Sequence, residues 1–238
     1  TGVVTNNSVA VSGGTEKSSA RFSINNSRIK GIIPTHKENQ LTLTLRAATN
    51  ITDKLTVEGK INYIHKNADN PPGLGVFSSN NVVRDLAAMG RYVPLPFLKE
   101  YYERTGEAGS WPGVSVNPYY LVNENKNNAE RERIIGFVSA RYQFTKWLGL
   151  MARAGIDNYS ESRLERRPVG SPNGPSGRLV DETYLTKEIN SDVLLTATKN
   201  NIENFSASFS VGASLSKRSY RQQGWVGTDF KVPGIYHI

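Results

Sequence analysis

Cysteine is absent from the 238 residues. That absence excludes disulfides, zinc–thiolate sites and thiol nucleophiles. Long apolar runs are missing as well. No stretch approaches the roughly 20 consecutive apolar residues that a membrane-crossing helix requires. Hydrophobic residues make up 37% of the chain, and mean hydropathy is −0.45. A helical membrane protein is thereby excluded. A β-barrel is not, because its strands alternate apolar with polar residues and each carries only a weak hydropathy signal. Histidine is scarce: His36, His65 and His237 lie far apart without paired-ligand spacing, so no metal site and no cofactor are expected. The chain opens at Thr1 without Met or a signal-like apolar stretch, which favours a piece of a longer protein.

The formal net charge is +8. A basic balance raises nucleic acid as a partner. The charges are dispersed singly along alternating segments, with loop-like clusters such as residues 163–167, and no binding motif accompanies them. Nucleic-acid binding is therefore not expected.

What the sequence has is a period of two. Leu55, Val57, Gly59, Ile61 and Tyr63 oppose Thr56, Glu58, Lys60 and Asn62. Leu41, Leu43, Leu45 and Ala47 oppose Thr42, Thr44 and Arg46. Phe205, Ala207, Phe209, Val211, Ala213 and Leu215 oppose a row of Ser, Asn and Gly. Successive side chains of a strand point to opposite faces, so each segment has one apolar and one polar wall. Strands are expected over residues 3–12, 19–29, 40–50, 54–66, 130–143, 147–160, 187–199 and 203–216. Short turns at 13–17, 51–53, 144–146 and 200–202 alternate with longer links at 30–39, 67–129 and 161–186, and residues after Lys217 read as another long link. Outer-membrane barrels show this alternation, with short periplasmic turns and long extracellular loops.

The longest link, residues 67–129, is expected to be an extracellular loop with a short helix. Val82, Val83, Leu86, Ala87 and Gly90 recur at helical spacing, Asn80 or Asn81 can cap, and Pro94 and Pro96 prevent continuation. It is rich in aromatics. Tyr92, Trp111, Tyr119 and Tyr120, with Asn117, are candidates for substrate or lid contact; the alternative is that they pack the loop against itself. The link at 161–186 is rich in Pro and Gly and reads as a run of turns.

No catalytic constellation emerges. Glu130 and Glu132 share a strand face but stand beside Arg131 and Arg133, as solvated residues do. Gly73-Leu74-Gly75 lacks the third glycine and the strand–helix setting of a dinucleotide site. Arg46, Lys60, Arg141 and Arg153 lie within strands opposite apolar walls and are expected to face a wet lumen. A solvated sheet face in a soluble protein would produce the same pattern.

Ordered motifs resemble one family. Val11-Ser12-Gly13-Gly14-Thr15-Glu16-Lys17 is similar to a hairpin turn of the SusC/RagA-like TonB-linked outer-membrane proteins. Lys30-Gly31-Ile32-Ile33-Pro34 resembles that family's Gly-Ile segment. Arg91-Tyr92-Val93-Pro94-Leu95-Pro96 resembles its proline-punctuated stretch, and Asn117-Pro118-Tyr119-Tyr120 its Asn-Pro-Tyr-Trp element with Tyr120 for the Trp. Thr145-Lys146-Trp147-Leu148 and Ala154-Gly155-Ile156-Asp157 resemble the turn and strand that follow.

The resemblance implies an all-β antiparallel meander of about eight long strands, residues 1–238 forming part of a large transmembrane β-barrel with long extracellular loops. Such barrels have about 22 strands around a plugged lumen, so a plug domain and further strands would lie elsewhere. It implies a bacterial outer-membrane location and TonB-dependent import of glycan or peptide fragments without covalent chemistry, hence no enzyme. Its implied partners are a SusD-like surface lipoprotein, TonB through an N-terminal part not present here, outer-membrane lipid, and an oligosaccharide or peptide ligand. A soluble β-sandwich that binds carbohydrate and a passive porin-like barrel are the alternatives.

Overall fold

A computed structural model describes residues 1–73, 81–109, 116–172, 174–202, 205–232 and 235–236. Trp111, His237, Asn80, Leu74 and Gly75 lie outside the described residues. Among those described, eight strands form one sheet in sequence order, every neighbouring pair antiparallel. They are β1 (Val3–Gly14), β2 (Ser18–Lys30), β3 (Lys37–Thr52), β4 (Leu55–Asp69), β5 (Lys126–Thr145), β6 (Leu148–Arg167), β7 (Arg178–Ile202) and β8 (Phe205–Thr228). Strands of this length exceed the roughly 9–11 residues needed to cross a bilayer at a tilt. No described helix is long and apolar enough to cross a membrane.

Every expected strand is present, and each is longer than expected. β6 continues to Arg167, β7 begins at Arg178 rather than near Lys187, and β8 runs on to Thr228 through what reads as a link. In these upper reaches both faces carry polar side chains, so the period-two contrast fades while the hydrogen-bond ladder continues. Tyr184 pairs with Gln222 and Asp181 with Trp225 there.

The register aligns the walls. Across the sheet, Val11, Phe22, Leu45, Ile61, Gly136, Ile156 and Ile189 form one row of directly opposed residues. The adjacent row on the same face holds Val9, Ile24, Leu43, Tyr63 and Ile134. This apolar face is uncovered: Phe209 is 72% exposed and Val211 55%. The other face carries Arg46 opposite Lys60, and Arg153 opposite Asp192.

The apolar face ends at a polar border. Beyond Ile24 stands Asn26, beyond Tyr63 His65, beyond Ile134 Glu132, beyond Ile156 Asn158, beyond Ile189 Lys187 and beyond Leu215 Lys217. On β8 the apolar run from Phe205 to Leu215 covers roughly 33 Å of strand, about 25 Å of height at a barrel tilt near 40°. That height matches the apolar band of outer-membrane barrels. At the short-turn end Tyr142 and Phe144 meet edge to face at 4.9 Å, and Trp147 is 54% exposed. Aromatic residues favour a membrane–water interface because one end of each ring system is apolar and the other polar.

Candidate functional site

The links at the other end gather into a cap. The longest holds three helices among the described residues: α1 (Val82–Ala88), α2 (Leu95–Thr105) and α3 (Pro118–Glu124). Asn81 caps α1, its side chain accepting from the Arg84 N–H at 3.0 Å. Only α1 was expected. α1 ends at Ala88, before it reaches the prolines expected to stop it; these begin α2 instead, with Pro94 at the N-cap and Pro96 in the first turn. There the missing N–H would have had no intrahelical partner. Gly106 closes α2 at φ 69°, its N–H bonded to the Tyr102 carbonyl at 2.8 Å, a conformation that glycine adopts without penalty.

Asn117 joins α2 to α3 and is fully buried. Its Oδ1 accepts from the Tyr119 N–H at 2.9 Å, capping α3. Its Nδ2 donates to the Leu98 carbonyl at 2.9 Å, and Leu98 is itself fully buried. Around this joint Ala108, Val116, Tyr120 and Leu121 form a small core, with Tyr102 packed against it. Tyr102 and Tyr120 meet edge to face at 6.5 Å. The Tyr102 hydroxyl donates to Glu124 at 2.6 Å. Burial, then that bond to a carboxylate, pushes its pKa up to about 12. Burial also raises Tyr120, helped by Glu124 and Tyr236.

The neighbouring links converge on the same place. Thr35, at φ 71°, donates its hydroxyl to the Val122 carbonyl at 2.7 Å. Phe230 donates its N–H to the Ser176 carbonyl at 3.0 Å, and its ring meets Tyr236 edge to face at 5.0 Å. Arg166 lies over the Tyr236 ring at 5.2 Å. The link read as turns over 161–186 is mostly strand, 161–167 in β6 and 178–186 in β7; turns remain only between them, where Ser171 and Gly174 form a bridge.

Of the aromatic candidates, the structure thus buries Tyr120 in the cap core and half-buries Tyr119 beside it, while Tyr92 is 71% exposed. Asn117 uses both polar atoms of its side chain inside the cap.

The four in-strand cations, Arg46, Lys60, Arg141 and Arg153, share the charged face. Arg46 pairs with Glu58 at 2.6 Å and Arg153 with Asp192 at 2.6 Å. Ser214 donates to the same Asp192 at 2.7 Å. Higher on this face Glu161 holds both Arg131 and Arg163, and Arg133 pairs with Asp157. Arg131 and Arg133 lie over the Tyr159 ring, and Arg163 over Tyr184. Neither Lys60 nor Arg141 forms an ion pair among the described residues.

The sequence reading missed two groupings, both made by register. His65 stands opposite Glu132, its ring nitrogens 3.7 Å from Glu132 and 3.9 Å from Glu130. Among the described residues no group of three or more ligating side chains is disposed to hold a metal ion. The second grouping is a set of cations above the polar border on β2 and β3. Neither had a sequence signal, since the partners lie on different strands.

These features define a class of fold: a section of a β-barrel wall, apolar on one face and ion-paired on the other, with folded loops at one end. No family model and no curated protein matches the chain. Among solved structures, the RagAB peptide importer in its closed-closed state matches with a TM-score of 0.71 at 15% identity, over 95% of this chain and 26% of that one. The ferripyoverdine receptor of the outer membrane of Pseudomonas aeruginosa matches at 0.64, with 12% identity over 99% of this chain and 32% of that one. BauA, the ferric preacinetobactin receptor from Acinetobacter baumannii, matches at 0.60, with 10% identity, 98% of this chain and 33% of that one. The chain therefore has the fold of a section of such barrels and spans between a quarter and a third of their length. The SusC/RagA-like resemblance holds at the level of fold.

Proposed function

We propose that the chain is part of the wall of a bacterial outer-membrane importer, TonB-dependent and SusC/RagA-like, that takes up glycan or peptide fragments. One observation carries the reading: the register gathers the apolar side chains of eight strands into a single band of membrane height and leaves the opposite face charged and hydrogen-bonded. Lipid covers such a band without a second protein layer, and a lumen hydrates such a charged face. A sandwich would need two sheets packed face to face; the described strands form one sheet.

In this reading Arg46, Lys60, Arg141 and Arg153 line the lumen. The loop cap sits on the extracellular side, under a SusD-like lipoprotein lid. Tyr92, Trp111 and Tyr119 contribute to ligand or lid contact; Asn117 and Tyr120 hold α2 and α3 together beneath the cap surface. TonB acts through parts of the protein other than this chain, and ligand release follows mechanical work on a plug without covalent chemistry.

The test is growth of the native bacterium on candidate peptide or glycan fragments, with the full-length gene intact or deleted and with TonB present or removed. Loss of growth in both deletions supports the reading. Growth that needs the gene and survives loss of TonB would establish the passive porin instead. Alanine at Tyr92, Trp111 and Tyr119, with surface abundance measured alongside, tests the contact role.

A further inference from the structure

Above the apolar band, on the same face, the register brings three cations together. Lys30 stands directly opposite Lys37, and Lys37 opposite Asp69. In the next row toward the band Arg28 stands opposite Asn39, and Asn39 opposite Asn67. These six side chains line a groove of about 480 Å³. Like charges directly opposed on one sheet face repel each other, so the arrangement is unfavourable unless an anion lies between them. No ion pair involves Arg28, Lys30 or Lys37 among the described residues. Two carboxylates also line the groove, Asp69 and Glu38, and Glu38 is already held by Lys66 at 2.7 Å. Asn39 and Asn67 add amide donors, although Asn39 also accepts from Asn26 at 3.0 Å and Asn67 bonds the His65 ring at 3.0 Å.

The position selects the ligand. Two residues further along the same face of β2 comes Asn26, then Ile24, and on β3 Leu41, then Leu43; the groove thus sits immediately above the edge of the band. An anion there is joined to an apolar body that continues down the band. We infer that the groove seats the phosphorylated headgroup of an outer-leaflet glycolipid, with Arg28, Lys30 and Lys37 on the phosphate and the acyl chains against Ile24, Leu43 and Leu45. Guanidinium and ammonium groups are suited to phosphate, the first by its fork of donors and the second as a point charge. This assignment rests on the outer-membrane reading and on the loop end being extracellular.

The test uses the full-length barrel protein in bilayer nanodiscs. Binding of diphosphorylated lipid A is compared with that of its dephosphorylated counterpart, for wild type and for the triple variant Arg28→Ser, Lys30→Ser, Lys37→Ser. A control triple variant, Lys17→Ser, Lys54→Ser, Lys146→Ser, removes the same charge at the short-turn end. Each cation near an anionic surface is worth roughly a factor of five in affinity, so the groove variant should bind the diphosphorylated lipid about a hundredfold more weakly. The control should retain wild-type affinity, and the dephosphorylated lipid should not distinguish the proteins. Should the triple variant not fold, Lys30→Ser and Lys37→Ser singly should each weaken binding about fivefold. Equal affinity for wild type and groove variant, or equal losses in groove and control variants, overturns the assignment. Displacement of lipid A by inorganic phosphate at equal phosphate concentration overturns it in favour of a free-anion site. Failure of the wild type to enter a bilayer removes the barrel reading and this site together. Normal insertion without phosphate-dependent binding removes only the site.

Discussion

Replacing Asn117 by Ala removes two bonds with different consequences. Loss of the α3 cap, the Tyr119 N–H bond to Oδ1, costs about 1 kcal/mol, as helix caps do. Loss of the Nδ2 bond leaves the buried Leu98 carbonyl short of one partner. Buried groups left unpaired cost roughly 1–3 kcal/mol, but a carbonyl within α2 keeps its intrahelical acceptor role, so the low end applies. The sum, roughly 2 kcal/mol, falls on the closed state of the cap and not on the sheet. At about 1.4 kcal/mol per tenfold, opening of α3 should become roughly thirtyfold more frequent. Hydrogen exchange of the amides of residues 119–124 in the full-length protein reads this directly, with exchange in β3 and β4 as the internal reference. Asn117→Asp keeps an acceptor for Tyr119 but sets a carboxylate against the Leu98 carbonyl. Its α3 should exchange faster than wild type near neutrality and recover as acid protonates the carboxyl, which can then donate. Identical exchange in α3 for wild type and Asn117→Ala would refute the role of this joint.

Leu43 sits on the apolar face between Ile24 and Tyr63, and Thr44 on the charged face between Ser23 and Asn62. Arginine in the lipid midplane costs roughly 2–4 kcal/mol and much less in a lumen, so Leu43→Arg should lower barrel folding yield in lipid vesicles well below Thr44→Arg; equal yields would reverse the facing. The chain expressed alone has an uncovered apolar face and edge strands β1 and β8 among the described residues, and such surfaces associate. It should elute as large assemblies without detergent, and a sharp monomer with cooperative melting would count against a lipid-facing band. Tyr102 is held up to about 12 against an ordinary 10.0. The neutral phenol therefore contributes stability that is complete below pH about 10 and lost as pH rises through about 12. A tyrosinate absorbance titration should lose one of its late-ionising groups in Tyr102→Phe; an unchanged titration would contradict the Tyr102–Glu124 bond.

The sequence alone determined the strands wherever one face is apolar and the other wet. Leu41 to Ala47, Leu55 to Tyr63 and Phe205 to Leu215 were legible because a strand turns successive residues to opposite sides, and a single boundary solvent sorts them. For the same reason the four in-strand cations could be assigned a common side. Where both sides are wet that sorting stops. The continuations of β6, β7 and β8 were silent in sequence, although their backbone groups pair as regularly as those below. The second and third loop helices were hidden too: Pro94 and Pro96 read as breaks, yet they stand at the cap and in the first turn of α2, as Pro118 does in the first turn of α3, where a missing N–H does no harm. Tertiary structure also decided what Asn117 and Tyr120 touch, because their partners are helical turns and links far away in the chain. It decided register above all. Lys30 against Lys37, His65 against Glu132 and Arg153 against Asp192 are pairings between strands, and only the stagger of the paired strands tells one side chain which other it will face.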